Sequence, residues 1–351
     1  MPVSIEDNTQ NHHLLMNPSR LHGESTTGYQ EWDDRCVHIG LINNMPDGAL
    51  EATERQFLAL LGAAAGGMLV RVSFYALPNV PRNDWGRHRV KHFYSGVESL
   101  YKGQLDGLIV TGREPRTPNL KEEPYWGDLT RVLEWAENNT YSTVWSCLAA
   151  HAALLHMNGI ARRKSAVKRC GVFDCFRLSD HPLMAGLPSR FKVPHSRWND
   201  VAEDDLAACG YNVLSQVQDA GADTIVKQQR NSLFVFLQGH PEYESDTLLH
   251  EYSRDVKRYA TGQSESYPSM PHGYFDEFTR GALTALEEKA TSGCRNDLLA
   301  GLAAALEGKT IAPTWRPAAE RLYGNWLWYV NAQKEHRAPR AMLATNAHRS
   351  V

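Results

Sequence analysis

Short apolar runs alternate with amphipathic stretches through the first half of the chain. The apolar runs cover residues 37–43, 68–75, 105–112 and 142–147, and helical spacing of apolar residues covers 50–61, 125–137 and 149–158. Runs rich in β-branched and aromatic residues predict strands, whereas a period of about 3.6 residues predicts helices. The alternation predicts an α/β fold, a doubly wound, mostly parallel sheet flanked by helices.

After residue 159 the apolar runs become shorter and their connections contain more turn residues. Strands are predicted at 171–178, 191–194, 223–228 and 232–242, and helices at 246–259, as a pair within 277–307, and at 317–333. We expect the short strands to extend the sheet by antiparallel pairing, and the last helices to form an extra helical C-terminal segment.

The two ends of the chain differ from its interior. Residues 1–34 have no sustained apolar period, and residues 335–351 are polar with several arginines and histidines. Segments with little apolar surface to bury tend to stay mobile. We therefore expect a mobile arm at 1–34, one domain at 35–334 and a flexible tail at 335–351.

Composition and charge narrow the classes of function. The 351 residues include 37 Lys and Arg against 40 Asp and Glu, a formal net charge of −3. No overall positive field therefore attracts nucleic acid or an anionic membrane surface. No run approaches the ~18 apolar residues of a membrane helix, and the N-terminal residues lack a signal-peptide pattern. We expect a cytoplasmic protein whose six cysteines are reduced thiols.

One cysteine stands where a predicted strand meets a predicted helix. Cys147 ends the run STVWSC and is followed at once by a helix-forming sequence. A thiol on such a turn lies at the positive end of the helix dipole, where a thiolate is favoured. The backbone N–H of Leu148 would point at an oxyanion formed on a carbonyl that the sulfur attacks. The alternative is a buried cysteine that acts as a small apolar residue.

A histidine and a glutamate end the predicted strand 232–242, in the segment QGHPEYE. His240 and Glu242 are two residues apart, so in an extended chain both side chains lie on one face and the carboxylate can orient the ring. Such a pair is often only solvated. Together with a cysteine at another strand end, it supplies the nucleophile, base and orienting carboxylate of acyl transfer through a thioester.

The helix predicted after this segment carries a charged pair. Glu251 and Arg254 are three residues apart and share a helix face. They could form a solvated ion pair. They could instead hold an amino acid, with Arg254 on its carboxylate and Glu251 on its ammonium group.

Several motifs together resemble one family. They are HIGLINNMP (38–46), TERQFLALL (53–61), DGLIVTG (106–112), PYW (124–126), VPHSRW (193–198), GHPEYESDTLLHEYSRDV (239–256) and GNWLWY (324–329). In this order, over roughly residues 37–333, they resemble the homoserine O-acyltransferase family of the homoserine O-succinyltransferase type. GHPEY and PHSR are the specific motifs. The resemblance implies a fold similar to that of class I glutamine amidotransferases.

The resemblance also implies a ping-pong reaction in methionine biosynthesis. The thiolate of Cys147 would attack an acyl-CoA thioester, and the hydroxyl of homoserine would then take the acyl group from the sulfur. His240 would act as general base, oriented by Glu242. Acyl-CoA would be a co-substrate, and we expect no bound cofactor. We also expect no metal, because isolated histidines such as His156 and His250 favour ordinary helix positions.

By the same matching, four further residues belong to the substrate pocket. Lys168 falls at the family's active-site lysine, where its charge would favour the thiolate and the oxyanion. Ser196 of PHSR lies at the pocket, and Glu251 and Arg254 fall at positions that hold the amino acid. The implied partners are a hydroxy amino acid and acyl-CoA, without nucleic acid or membrane. A homodimer is left open.

The chain departs from the family pattern at several places. The family's CWGAQ is CLAAH at 147–151, and Asp47-Gly48 stands in place of two lysines. The fourth position after DGLIVTG, associated in the family with acyl choice, is Arg116. Its guanidinium could face solvent or pair with a succinyl carboxylate, which slightly favours succinyl-CoA over acetyl-CoA. The helical insertion near 278–312 is longer than in the family and could cover the site or build a subunit contact.

These departures leave other functions open. The acceptor could be L-serine or a related hydroxy amino acid. The same cysteine, histidine and glutamate could hydrolyse an amide or ester, as in a glutaminase, without CoA. The altered residues after Cys147 could also belong to a non-catalytic binding protein that has kept the fold.

Overall fold

The computed structural model describes residues 3–6, 36–218, 220–292 and 297–347, with side chains given for residues 3–4 and, within these ranges, for 36–337. Its strands are β1 (Val3–Glu6), β2 (Cys36–Ile42), β3 (Leu69–Ala76), β4 (Ser95–Gly96), β5 (Gly107–Thr111), β6 (Ser142–Ser146), β7 (Arg163–Arg177), β8 (Arg190–Asp200), β9 (Asn212–Val217), β10 (Gly221–Gln229) and β11 (Ser232–Leu237). Its helices are α1 (Leu50–Ala64), α2 (Asp84–Phe93), α3 (Val97–Leu100), α4 (Trp126–Asn139), α5 (Leu148–Asn158), α6 (Glu203–Ala208), α7 (Thr247–Ala260), α8 (Glu277–Thr291), α9 (Leu298–Leu306) and α10 (Arg316–Ala347).

The strands form one sheet in the order β1-β3-β2-β5-β6-β11-β10-β9-β7-β8, with β4 paired to β3. The pairs from β1 to β11 are parallel. Those from β11 to β8 are antiparallel. The predicted doubly wound, mostly parallel sheet with antiparallel additions is confirmed. Because β5 and β6 are buried on both faces, their sequences are continuous apolar or small-residue runs.

Helices cover both faces of the sheet. On one face, Leu60 of α1 and Leu327 of α10 belong to one apolar core. On the other, Val132 of α4 and Ala150 of α5 belong to a second. None of the helices in the described ranges is long and apolar enough to cross a membrane.

The two helices of the expected insertion near 278–312 pack against α7. Tyr252 and Val256 of α7 form a separate apolar cluster with Leu283 of α8 and with Leu298 and Leu302 of α9. The insertion therefore supports the helix that carries Glu251 and Arg254.

Both ends of the chain differ from the expectation. Residues 3–6 form an edge strand parallel to β3, with Val3 buried, so the idea of a wholly mobile arm is wrong there; residues 7–34 lie outside the described part. The backbone of α10 stays helical to Ala347, through most of the expected tail. Arg337 also binds the Asn231 carbonyl and lies over the Tyr141 ring.

Two elements lack the hydrophobic periodicity that would predict them from the sequence. In α2 only Gly86 is buried, so the helix lacks an apolar stripe; its start is fixed by the Asn83 side chain, which accepts from the Gly86 N–H. The strand β9 is short and mixes polar with apolar residues. This segment forms a strand because it pairs with neighbouring strands, and the local sequence does not predict that pairing.

Candidate active site

Cys147 and His240 come together because the strands before them are neighbours. β6 and β11 pair in parallel with Ser146 opposite Leu237, so both end at the same edge of the sheet. The Cys147 N–H donates to the Leu237 carbonyl oxygen over 2.7 Å. The cysteine therefore lies beside the segment that leads to His240, beyond the carboxyl ends of parallel strands where ligands usually bind.

Cys147 has an unusual backbone conformation. It precedes α5 with φ 52° and ψ −112°. A positive φ outside glycine costs on the order of 1–3 kcal/mol, and it is typical of the turn that presents a nucleophile between a strand and a helix. The residue is half-buried. As the first residue of α5, Leu148 has no acceptor for its N–H within the helix, so this group is suited to bind an oxyanion.

Gly112 allows the end of β5 to pass close to the start of α5. A Cβ at this position would lie 2.5 Å from the Leu148 Cβ and 2.7 Å from the Ala149 nitrogen. Atoms cannot approach so closely without a shift of the backbone. A shallow pocket opens here, bordered among others by Gly112, Tyr125 and Leu148. Glycine therefore leaves room both for the helix start and for the pocket beside it.

Three groups surround the imidazole of His240. Its Nδ1 lies 2.8 Å from Glu242 Oε1, the Cys147 thiol is close enough to the ring to raise the pKa of His240, and the Tyr243 ring is stacked on it with centroids 4.3 Å apart. Only 7% of His240 is exposed. Burial lowers the pKa of His240, but Glu242 and Cys147 outweigh burial and raise the pKa well above 6.5. Sulfur, imidazole and carboxylate thus lie in series.

Glu242 is buried beside the ring that it contacts. Among the described residues, its Oε2 and the buried Tyr323 hydroxyl have no hydrogen-bond partner. Burial, followed by the charge of Glu242, raises the pKa of Tyr323 well above 10. A buried carboxylate is stabilised by an opposite charge, so Glu242 and protonated His240 stabilise each other.

A second cluster of charged groups lies on β7, β8 and α7. Both Glu251 carboxylate oxygens accept hydrogen bonds, one from the Tyr243 hydroxyl over 2.6 Å and the other from Ser196 Oγ. The Lys168 ammonium lies 3.1 Å from Asp255 Oδ2 and 4.0 Å from Glu251 Oε2. The structure therefore gathers Lys168, Ser196 and Glu251, three of the pocket residues matched in the sequence.

Arg254 pairs with Asp255 and not with Glu251. Its Nη2 lies 2.9 Å from Asp255 Oδ1, and its side chain is 48% exposed. Within the described chain no ion pair joins it to Glu251, so the intrahelical pair considered as the alternative does not form. Burial raises the pKa of Asp255, but Arg254 and Lys168 lower it below 3.8 overall.

Sequence reasoning did not single out Asp255 or Tyr243. Asp255 follows Glu251 by one helical turn, and that spacing was the available signal. Tyr243 belongs to the GHPEY motif, but its two contacts depend on how that segment folds against α7.

Arg116 lies on the loop after β5. Its backbone N–H donates to the buried Glu123 carboxylate, while its side chain is exposed and forms no ion pair with the described residues. Arg113 and Arg162, both near Tyr125, hydrogen-bond loop carbonyl groups. Burial lowers the pKa of both guanidinium groups. Several positive charges therefore lie near the rim of the pocket beside Gly112.

A buried network supports the His240 segment from behind. Asp223 Oδ1 accepts from the Gly239 N–H over 3.1 Å and lies 3.3 Å from His195 Nε2. The His240 N–H donates to the Pro194 carbonyl over 2.8 Å. The PHSR and GHPEY motifs are thus bonded to each other, which fixes the backbone of His240.

The described cysteines are all free thiols, namely Cys36, Cys147, Cys170, Cys175 and Cys209. Within the described ranges, no group of three or more His, Cys, Asp or Glu side chains is placed to hold a metal ion.

Solved structures of glutamine amidotransferases are similar to this chain at low sequence identity. One from Methylobacillus flagellatus covers 84% of this chain and 95% of its own, with 13% identity and a TM-score of 0.45. One from Thermotoga maritima covers 78% of this chain and 99% of its own, with 13% identity and a TM-score of 0.42.

Sequence comparisons reach much higher similarity. The family model of homoserine O-succinyltransferase matches residues 2–337. A homoserine O-succinyltransferase of Rhodopseudomonas palustris is 46% identical over 84% of this chain and 88% of its own length. One of Bradyrhizobium japonicum is 43% identical over 83% of this chain and 89% of its own. The chain therefore belongs to the homoserine O-succinyltransferase family of acyl-CoA-dependent acyltransferases.

Proposed function

We propose that this protein transfers a succinyl group from succinyl-CoA to the hydroxyl of L-homoserine through a thioester on Cys147. Family membership supports O-acylation of homoserine. The observation that carries the mechanism is the series of three groups at the sheet edge. The Cys147 thiol is close enough to His240 to raise its pKa, and the Nδ1 of His240 lies 2.8 Å from Glu242 Oε1. These are a nucleophile, a general base and an orienting carboxylate.

In the first half-reaction, Cys147 takes the acyl group. Its thiolate attacks the thioester carbonyl carbon, and the oxyanion that forms accepts the Leu148 N–H. The bond between carbon and the CoA sulfur then breaks, and the leaving thiolate receives the proton of the His240 imidazolium. A succinyl thioester on Cys147 and a neutral imidazole remain.

In the second half-reaction, the acceptor hydroxyl removes the acyl group. Neutral His240 takes the hydroxyl proton while the oxygen attacks the thioester carbon, and the Cys147 thiolate leaves. Glu242 keeps the ring in the tautomer with the proton on Nδ1, so that the other nitrogen faces the reacting atoms. Ester and free enzyme result, and no other reactant is needed.

The charged cluster on α7 suits a zwitterionic acceptor. Glu251 offers a carboxylate for the ammonium group. Arg254 uses Nε and Nη2 on Asp255, which leaves Nη1 to bind the acceptor carboxylate. Lys168 is bonded to Asp255, so we assign it to this acceptor side.

The positive charges near the pocket beside Gly112 favour a dicarboxylic acyl group. Arg113, Arg116 and Arg162 form no ion pair with the described residues and lie near the pocket bordered by Tyr125. An unpaired cation is stabilised by a ligand anion. This favours succinyl-CoA over acetyl-CoA.

The test separates the two half-reactions. The purified protein is incubated with succinyl-CoA alone, and intact-mass and peptide mass spectrometry locate the acyl group. We expect one succinyl group on Cys147, discharged by homoserine with formation of O-succinylhomoserine. An unmodified Cys147 with continued product formation would overturn the thioester mechanism.

The same assay distinguishes the alternatives. Faster discharge by L-serine than by homoserine would reassign the acceptor. Hydrolysis of glutamine without CoA would indicate a glutaminase-type hydrolase, and absence of every reaction would favour a non-catalytic binding protein. Acetyl-CoA in parallel with succinyl-CoA measures the donor preference.

A further inference from the structure

Tyr243 contacts both halves of the proposed site. Its ring lies against the His240 imidazole, and its hydroxyl reaches the carboxylate of Glu251 on α7. The residue is buried, with 6% of its surface exposed. One side chain therefore spans the distance between the acyl-transfer groups and the acceptor cluster.

The ring of Tyr243 fixes the plane of the imidazole. The two rings are stacked at an interplanar angle of 19° with centroids 4.3 Å apart. Glu242 holds one edge of the imidazole, and the aromatic face limits its rotation out of that plane. An aromatic face also attracts a cation, so this contact favours the imidazolium formed when Cys147 is a thiolate.

The hydroxyl of Tyr243 fixes the carboxylate of Glu251. It donates to Oε1 over 2.6 Å, while Ser196 Oγ donates to Oε2. Burial and then Glu251 raise the pKa of Tyr243 well above 10, so the phenol stays protonated and remains a donor. With both oxygens held, Glu251 keeps one orientation before any acceptor arrives.

The backbone of Tyr243 is itself anchored. Its N–H donates to the His240 carbonyl over 3.1 Å, and its carbonyl accepts from the buried Trp315 Nε1 over 3.0 Å. Because its backbone N–H and carbonyl are both hydrogen-bonded, Tyr243 can keep His240 and Glu251 at a fixed distance from each other.

We propose that Tyr243 is a positioning residue that sets the acceptor-binding Glu251 relative to the base His240, so that the acceptor hydroxyl arrives within reach of the imidazole. This inference rests on the proposed function. In this proposal the Tyr243 ring contributes to both half-reactions, whereas the Tyr243 hydroxyl contributes only to the second. The two contributions can therefore be measured separately.

The substitution Tyr243→Phe tests the hydroxyl. The stacked ring remains and one donor to Glu251 is removed. We expect the rate of Cys147 acylation by succinyl-CoA to change less than about 2-fold. The KM for homoserine should rise about 10-fold or more, the effect of one hydrogen bond to a charged group. Rapid-mixing mass spectrometry measures the first step, and steady-state kinetics measures the second.

Tyr274→Phe is the matched control. Tyr274 is a buried tyrosine of the same apolar cluster. Its hydroxyl donates to the Ser245 carbonyl and accepts from the Leu249 N–H of α7, and it forms no hydrogen bond with Glu251 or His240 in the described chain. We expect this variant to keep the homoserine KM within about 2-fold. Equal effects of Tyr243→Phe and Tyr274→Phe on KM would overturn the proposal, as would an equal loss in both half-reactions of Tyr243→Phe.

Tyr243→Leu tests the ring. Without the stacking partner, acylation by succinyl-CoA should also slow, by about 2- to 10-fold, the change that corresponds to the ~0.5–1.5 kcal/mol of an aromatic contact beyond burial. Thermal melting shows whether the variant folds; if it does not, the result for Tyr243→Phe still decides. Failure of the wild-type protein to form any acyl-enzyme would overturn the proposed function instead, before Tyr243 is tested.

Discussion

The acyl-transfer groups and the acceptor cluster are built in different ways. Cys147 and His240 follow parallel strands; the cysteine has a positive φ, and Glu242 keeps an unpaired oxygen among the described atoms. Lys168 and Glu251, on an antiparallel hairpin and a helix, are fully engaged in hydrogen bonds or ion pairs. The reactive groups are thus held under strain, whereas the recognition groups already have internal partners.

This difference indicates how each region meets its substrate. In the proposed mechanism, the Cys147 thiol needs only a carbonyl group placed against it, because the proposed base His240 and the Leu148 N–H are already in position. In the same proposal, the acceptor binds to side chains that internal contacts already hold in position, such as the contact between Arg254 and Asp255. Changes in the first region should therefore affect acylation, and changes in the second should affect binding of the acceptor. Five substitutions test this separation.

The largest effect is expected from Cys147→Ala. Removal of the sulfur removes the atom that carries the acyl group, so the acyl-enzyme should be undetectable and turnover should fall about 10⁶-fold, as for other catalytic nucleophiles. Far-ultraviolet circular dichroism checks that the fold is intact. Turnover near the wild-type rate would show that the two regions do not divide the reaction as described.

Glu242→Gln should impair both half-reactions. Loss of the orienting charge should slow turnover on the order of 10³-fold, because the imidazole loses its favoured tautomer and its stabilised charge. Glu242→Asp, which keeps a carboxylate, serves as the comparison and should retain more activity. An acylation rate unchanged by Glu242→Gln would exclude a role for this carboxylate.

The same variant should change the pH dependence of stability. The pKa of His240 is raised in the folded protein, so its protonation stabilises the fold below about pH 6.5, the usual unfolded value. That stabilisation is lost as the pH rises through the higher folded value. Urea unfolding should therefore show a larger loss of unfolding free energy in Glu242→Gln at about pH 6 than at pH 9.

Gly112→Ala should slow acylation without removing any reactive group. The added Cβ would displace Leu148 and Ala149, and with them the N–H that faces the oxyanion. Loss of one such donor costs about 10²-fold or more in rate. Gly127→Ala, which adds a Cβ with no atom within 4 Å, is the control and should acylate normally.

Asp255→Asn should act on the other region. The substitution keeps the shape but removes the charge that holds Lys168 and Arg254. We expect the homoserine KM to rise about 10-fold, consistent with loss of charged hydrogen bonds, with acylation of Cys147 unchanged. A slower acylation step with a normal KM would contradict the assignment of Lys168 to the acceptor side.

The smallest effect is expected from Arg116→Gly. Its side chain is exposed, so a pair with a succinyl carboxylate is screened and contributes at most ~1 kcal/mol, about 5-fold in the preference for succinyl-CoA over acetyl-CoA. Competition between the two donors measures this ratio. If this ratio does not change, the preference for succinyl-CoA would be assigned to Arg113 and Arg162 instead.

Several candidate site residues could be identified from the sequence because their positions within a single strand, turn or extended segment are sufficient to suggest their roles. Cys147 ends an apolar run and begins a helix, and His240 and Glu242 share one face of an extended segment. Asp255 and Tyr243 could not be identified in this way. Asp255 contacts Lys168, which is 87 residues away. The contacts of Tyr243 depend on how the GHPEY segment folds against α7.

The sequence by itself determined the alternation of the main parallel strands and their helices, the position of the thiol at a strand end and the family. Local hydrophobic periodicity and turn chemistry are sufficient for these. Only the tertiary structure decided that β6 lies next to β11, that Arg254 turns to Asp255, and that Tyr243 joins His240 to Glu251. The first depends on the pairing of distant segments, whereas the contacts of Arg254 and Tyr243 depend on how the segment before α7 and the side chains of α7 pack in the folded protein.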